Sequence, residues 1–265
     1  MKLLAFDLDR TCLNSQDLVP DSALDALRRA IAAGVTVVPT TGRNLLAIPA
    51  ALRSLDGVRY AITSNGAAIH DLATGEILYE RTIPVEKAAS ILERVIAMGI
   101  PCSATVRRDV IDMSREVWDF RHTFFHDYAE SLFADDLPAY LRERGENAAK
   151  LHFLYLGRHD SGPVYDLLDA EPGIFWTGDL TGHTEVVAEG VNKGSGLAKL
   201  ARLLNIPREE TAAIGDSDND VMMLRFAGVS AAMGGSPNHV LASAKIHTDD
   251  CDHDGFANAV DEMLK

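Results

Sequence analysis

The sequence predicts an α/β protein: a doubly wound parallel sheet, Rossmann-like, with a smaller α+β domain inserted in its middle. Three observations predict this. Short apolar strands alternate with helix-period segments at both ends of the 265 residues, and the alternation changes character between about 82 and 185. The polar clusters of the two flanking halves fall directly after strands, at the edge where such sheets bind ligands.

Leu3-Leu4-Ala5-Phe6 reads as a buried strand running into Asp7-Leu8-Asp9-Arg10-Thr11. Leu24, Leu27 and Ile31 then recur at i, i+3 and i+7, with Asp21 or Ser22 placed to cap a helix and Gly34 to end it. A strand at 35–38 leads to Thr40-Thr41-Gly42-Arg43. A helix-like stretch through Leu55 and a strand at 60–62, ending in Thr63-Ser64-Asn65-Gly66, complete a βαβαβ unit. The far end repeats the pattern, with a helix from Gly194 to Leu204, a strand at 211–214, a helix near Val221 to Phe226, a strand from Val229 to Ala232 and two further units.

In the insert, a helix from Pro84 to Met98 precedes strand-like runs near Cys102 to Met113 and an aromatic stretch from Trp118 to Tyr128. Further strands are expected at 151–156, 174–177 and 185–187. The expected domains are therefore 1–81 joined with 186–265, and the inserted 82–185.

With 47% hydrophobic residues, the chain is long enough to bury a full core. Its net charge of −14 repels nucleic acid and anionic membrane surfaces. No apolar run approaches 18 residues, and no charged leader with an apolar signal core precedes the first strand. Cys12, Cys102 and Cys251 are odd in number and lack CxxC spacing, which fits reduced thiols in a cytoplasmic protein.

On a strand, residues i and i+2 share a side, so the carboxylates of Asp7 and Asp9 would repel unless a cation lies between them or one carries a proton. Alone, these five residues fit an ordinary acidic turn equally well. The strand-end set as a whole is richer: Asp7, Asp9, Thr41, Gly42, Arg43, Asn65, Lys193, Asp216, Asn219 and Asp220. Asp7 and Asp216 can supply hard oxygen ligands to Mg²⁺. Thr41, the Gly42 backbone and Lys193 can hold phosphoryl oxygens. A carboxylate beside Mg²⁺ and facing phosphorus is a nucleophile, for which Asp7 is the candidate. Asp9 can protonate the leaving alkoxide and then take a proton from water.

Asp7-Leu8-Asp9-Arg10-Thr11 resembles the DxDxT first motif of the haloacid dehalogenase-like phosphohydrolases. Thr41-Gly42-Arg43 is similar to their second motif, Lys193 to the third, and Gly215-Asp216-Ser217-Asp218-Asn219-Asp220 to the fourth, in family order. The position of the insert, the Ser64-Asn65-Gly66 turn and the tail with Ala232-Met233-Gly234 and Asp254-Gly255 resemble the Cof-type members. These carry a large α/β cap and are related to sucrose-phosphate phosphatases.

The resemblance implies a Mg²⁺-dependent phosphatase acting on a small phosphorylated metabolite, with sugar phosphates favoured, through an aspartyl-phosphate. It implies Asp7 as nucleophile, Asp9 as acid/base, and Thr41 and Lys193 as phosphate holders. Gly42, Arg43 and Asn65 join the substrate-binding set, and Asn219 is expected near phosphate or metal water. The metal ligands would be Asp7, the Asp9 backbone carbonyl and Asp216, supported by Asp220. Two positions depart from the family pattern: Arg10 stands where Gly is usual, and Cys12 where Leu is usual.

Three other readings compete. A phospho-aspartate switch resembling a receiver domain uses similar residues, but an acid/base two positions from the nucleophile promotes turnover. Dehalogenation needs no Mg²⁺ and has little use for Asp9, and a sugar phosphomutase would have to retain a bisphosphorylated intermediate. In the insert, Arg107, Arg108, Trp118, Phe124, Phe125 and Trp176 read as core or solvated surface rather than pocket. His122 and His126 lack the Glu or Cys partners of a zinc site. The acidic run 249–254 lacks the ligand order of an EF-hand and reads as a solvated loop.

Overall fold

Four of the first six residues, Leu3–Phe6, form strand β1, and all four are buried because both faces of the sheet are covered. The period of two divides them. Leu4 and Phe6 pack into one apolar cluster with helices α1 (Asp21–Ala32) and α10 (Gly255–Leu264). Leu3 and Ala5 pack into a second with α7 (Lys193–Leu203) and α8 (Val221–Phe226). The Phe6 ring meets Phe256 edge-on at 5.3 Å.

The structure, a computed structural model, describes residues 1–124, 132–155, 161–178 and 182–265, with the backbone alone for 120–124. The chain divides into two units, Met1–Tyr79 with Asn192–Lys265, and Glu80–Val191. In the first unit β1 lies between β2 (Thr36–Pro39) and β12 (Thr211–Gly215), followed outward by β13 (Val229–Ala232) and β14 (Ile246–His247), all parallel. The sheet is extended past β2 by a parallel bridge from Thr40 to Ile62 in β3 (Tyr60–Thr63). Strand β3 pairs antiparallel with β4 (Ala68–Asp71), and β5 (Ile77–Glu80) completes that smaller sheet. A doubly wound parallel core is therefore present, as the alternation of strands and helices predicts.

Two local expectations are corrected. The helix expected through Leu55 is only a 3₁₀ turn at Leu45–Ala47 and a one-turn α2 at Ala50–Arg53. Pro49 lies between them: it has no N–H to donate and its ring blocks a continuous helix. Strand β1 also ends at Phe6, so strand periodicity does not place Asp9. Residues Leu8–Cys12 form a wide turn instead, interrupted by extended Asp9 and by Arg10 at φ 55°.

The second unit holds a sheet ordered β10-β11-β9-β6-β7-β8. Its strands are β6 (Cys102–Val106), β7 (Asp109–Asp112), β8 (Leu132–Phe133), β9 (Lys150–Leu154), β10 (Ile174–Gly178) and β11 (His183–Ala188). All described pairings in it are antiparallel except β7 with β8. Helices α3 (Val85–Ala97), α4 (Arg115–Phe124), α5 (Leu137–Arg144) and α6 (Gly162–Asp169) accompany it, and α9 (Asn238–Leu241) completes the first unit.

Here Trp176 stacks on Tyr165 at 4.7 Å and donates to Asp169, and Arg107 faces Glu146 at 3.8 Å. Phe125 and His126 lie outside the described residues, as do the side chains of His122 and Phe124. Among the described residues, no helix is long and apolar enough to cross a membrane.

Candidate active site

The carboxyl ends of β1, β2, β3 and β12 bring the strand-end residues of the core together. The Asp7 N–H continues the β1–β12 ladder by donating to the Ile214 carbonyl at 3.0 Å, which fixes the first carboxylate beside the end of β12. Lys193, the first residue of α7, is 1% exposed. Its ammonium donates to Asp7 Oδ1 at 2.5 Å and to Asp220 Oδ1 at 2.7 Å. The other Asp220 oxygen accepts the N–H groups of Asp216 and Ser217 at 3.0 and 3.1 Å, so this carboxylate braces the loop that carries Asp216. Gly215 allows the close approach, because a Cβ there would stand 2.5 Å from Asp220 Cγ.

Charge is the dominant fact of this cluster. Asp7, Asp216 and Asp220 offer oxygens that all lie within 4.8 Å of one another. Among the described residues, one ammonium stands against the three carboxylates. Burial opposes the Lys193 charge, but Asp220 and Asp7 outweigh it and hold the ammonium above its usual range. Burial and the Asp220 charge push the Asp7 carboxyl well above its ordinary range despite the pull of Lys193. The same two causes push Asp216 up to about 6. Lys193 is thus shared between two carboxylates and fully compensates neither. Hard oxygen donors with two surplus negative charges fit a divalent cation such as Mg²⁺. Asp7 and Asp216 have the freer oxygens, while both oxygens of Asp220 are already engaged.

Asp9 has a different environment. Its side chain is 42% exposed and is gripped by the buried Arg43 guanidinium, through Nε at 3.1 Å and through Nη2. Arg43 Nη1 donates to the Ala47 carbonyl at 3.1 Å. Arg43, expected among the substrate-binding residues, turns its fork to Asp9 and positions that carboxylate. Thr41 Oγ1 accepts the Arg43 N–H at 3.1 Å, which orients the hydroxyl and leaves its proton available to a phosphoryl oxygen. Gly42, half-buried, follows at the strand end.

Asn65 joins the cluster through its backbone, which donates to the Thr41 carbonyl at 3.0 Å, and through its side-chain oxygen, which accepts from Asn219 Nδ2 at 3.2 Å. Gly66 sits at φ +98°, and a Cβ on it would lie 2.2 Å from the Asn192 carbonyl oxygen. Only glycine lets this turn pack against the start of α7. Asn192 caps that helix by accepting the Ser195 N–H at 2.8 Å, while Ser195 Oγ accepts the Asn192 N–H at 3.0 Å. This reciprocal cap fixes the first turn of α7, where Lys193 begins.

Sequence reasoning passed over several contributors. Thr11 donates through Oγ1 to Asp216 Oδ1 at 3.0 Å, across 205 positions. Asn192 and Ser195 lie outside the motifs of the sequence, and Gly66 and Ser217, though inside two of them, carry no assigned role there. The signals were present in the closing Thr of Asp7–Thr11 and in the Asn192-Lys193-Gly194-Ser195 capping pattern. The acidic run 249–254 contributes no metal-holding group among the described residues. Within it, Asp250 Oδ1 accepts from His253 Nδ1 at 2.7 Å.

Arg10, between Asp9 and Thr11, adopts left-handed backbone. That conformation costs a residue bearing a Cβ roughly 1–2 kcal/mol, and glycine is free of the penalty. Arg10→Gly is accordingly expected to melt at or above the parent temperature in scanning calorimetry. A clear drop would show that the Arg10 side chain stabilises the loop.

A buried cluster of carboxylates able to hold a divalent cation, at the carboxyl edge of a parallel sheet on a chain with a long insert, defines a class. The family model for haloacid dehalogenase-like hydrolases matches residues 4–260. The chain belongs to that family. Among relatives, it is 29% identical over 269 residues to the 5-amino-6-(5-phospho-D-ribitylamino)uracil phosphatase YcsE of Bacillus subtilis, covering 98% of this chain and 94% of the relative. A solved haloacid dehalogenase-like hydrolase from B. subtilis superposes with a TM-score of 0.86 at 27% identity over the whole of both chains. The subclass IIB sugar phosphatase BT4131 does so with a TM-score of 0.83 at 25% identity, covering 100% of this chain and 99% of that one.

Proposed function

We propose that this hydrolase is a Mg²⁺-dependent phosphatase that cleaves a small phosphorylated metabolite, a sugar phosphate by preference, through an aspartyl-phosphate on Asp7. The observation that carries the reading is the buried arrangement in which one lysine bridges Asp7 and Asp220 beside Asp216. The phosphatase relatives support the reaction class, and the likeness to a sugar phosphatase supports the substrate class.

In the first step an Asp7 carboxylate oxygen attacks phosphorus, the bond from phosphorus to the ester oxygen breaks, and the departing alkoxide takes a proton from Asp9. In the second step a water oxygen attacks the same phosphorus and gives its proton to Asp9. The bond from phosphorus to Asp7 then breaks, restoring the carboxylate. Lys193 and the Thr41 hydroxyl hold the phosphoryl oxygens as charge builds on them. Because Asp9 lies on Arg43 in this structure, it must turn from the guanidinium toward the ester oxygen to deliver its proton. Asp7, the Asp9 carbonyl and Asp216 would hold Mg²⁺, which when bound offsets charge at the phosphoryl group. Asp220 keeps Asp216 and Lys193 in place.

The reading includes a cytoplasmic setting, supported by three free cysteines, and excludes nucleic acid as substrate on the strength of the acidic net charge. Removing divalent cations with a chelator is expected to reduce phosphate release to background, and adding Mg²⁺ to restore it. Turnover that persists without metal would take Asp216 out of its role. A release assay over sugar phosphates, nucleotides and cofactor phosphates tests the substrate class, with sugar phosphates expected to give the highest kcat/KM.

A further inference from the structure

Six segments leave the carboxyl ends of the core strands: 7–20, 40–49, 64–67, 216–220, 233–237 and 248–254. They carry ten aspartates and, as lysine or arginine, only Arg10 and Arg43. Lys193, at the start of α7, is the third fixed cation of this edge. Two of the three are spent on carboxylates: Lys193 is buried on Asp7 and Asp220, and Arg43 is buried on Asp9. The imidazole of His253 pairs with Asp250. Of the three fixed cations Arg10 alone is exposed, and no described side chain pairs with it. Its chain neighbours both belong to the site, since Asp9 is the candidate acid/base and Thr11 donates to Asp216.

The backbone adds a second, independent observation. Arg10 holds a left-handed conformation that glycine would adopt without strain. The long side chain stands at this turn without a pairing partner among the described residues. A phosphate dianion approaching a protein of net charge −14 meets repulsion at long range and ten aspartates at short range. An exposed guanidinium on the residue between Asp9 and Thr11 can supply the attraction those groups lack, and its planar fork suits phosphate oxygens.

We propose that Arg10 is an anion-capture residue of this site: its guanidinium draws in the phosphate group of the substrate and contacts it as it enters. The inference rests on the phosphatase reading for the location of the phosphate, and it assigns Arg10 a part in binding rather than in the chemical step.

The test is calorimetric titration of inorganic phosphate into the Mg²⁺-loaded full chain, for the parent, Arg10→Gly, Arg10→Gln and Arg10→Lys. At low ionic strength the Gly and Gln variants are expected to bind roughly three- to tenfold more weakly, with Lys recovering part of the loss. The gap should narrow as salt is raised. With p-nitrophenyl phosphate, KM should rise in parallel while kcat stays within about twofold.

Arg10→Gly relieves backbone strain, so a normal melting temperature in that variant separates lost capture from misfolding. Equal phosphate affinity in the parent and in Arg10→Gly would overturn the proposal while leaving the phosphatase reading intact. A parent protein that binds no phosphate would overturn both.

Discussion

Asp7→Asn is expected to lower phosphate release from a generic monoester by roughly 10⁴- to 10⁶-fold, the scale seen when a covalent nucleophile is removed. The substitution keeps the shape of the side chain and its contact with the Lys193 ammonium, which still has Asp220 at 2.7 Å. It also removes one of three crowded carboxylates. Burial and Asp220 already push the Asp7 carboxyl upward, so its ionised form costs stability in the metal-free protein. The unfolding midpoint without metal is therefore expected to stay level or rise as activity disappears. Denaturant unfolding beside a phosphate-release assay gives both quantities. A parallel fall in stability and activity would mean that Asp7 is structural, and retained turnover would end the covalent mechanism.

Lys193→Met is expected to be the most destabilising single change in the core. The lysine is 1% exposed, and among the described residues its ammonium is the one cation touching Asp7 and Asp220. Methionine fills similar volume without the charge and leaves buried carboxylates uncompensated, a loss of about 3–5 kcal/mol for a broken buried pair. The carboxyls relieve part of that cost by taking up protons, so the deficit should shrink in acid. Mg²⁺ should recover part of it at neutral pH by binding the folded state. Urea unfolding with and without Mg²⁺ measures both effects. A deficit below about 1 kcal/mol would show that Lys193 does not organise the cluster.

The sequence made the positions of these groups legible and their pairings much less so. Apolar runs such as Leu3–Phe6 and Thr211–Gly215 announce strands, and strand ends in a doubly wound sheet converge on one edge. Asp7 could therefore be set beside Asp216 from opposite ends of the chain. Pairings depend on loop backbone, which strand and helix periods do not describe. The break at Asp9 and the left-handed Arg10 send Asp9 to Arg43. The contact that brings Thr11 to Asp216 arises in the same turn.

The stretch after Arg43 failed for a simpler reason. Leu45 to Leu55 has helical apolar spacing, but Pro49 interrupts it and leaves only two short turns. Arg10 stood out in the sequence only as a departure from a glycine position. Its left-handed backbone supplies the physical reason that glycine suits the turn.

The covalent step itself can be observed directly. Mixing the Mg²⁺-loaded protein with excess substrate, quenching in acid within milliseconds and mapping the digest by mass spectrometry should find a phosphoryl adduct on the peptide that contains Asp7. The adduct should be absent from Asp7→Asn, accumulate in Asp9→Asn and decay within seconds in the parent. Phosphate release at full rate with no adduct at any quench time would contradict an aspartyl-phosphate. An Asp7 adduct that survives for hours in the parent would make the chain a phospho-aspartate switch instead of a phosphatase.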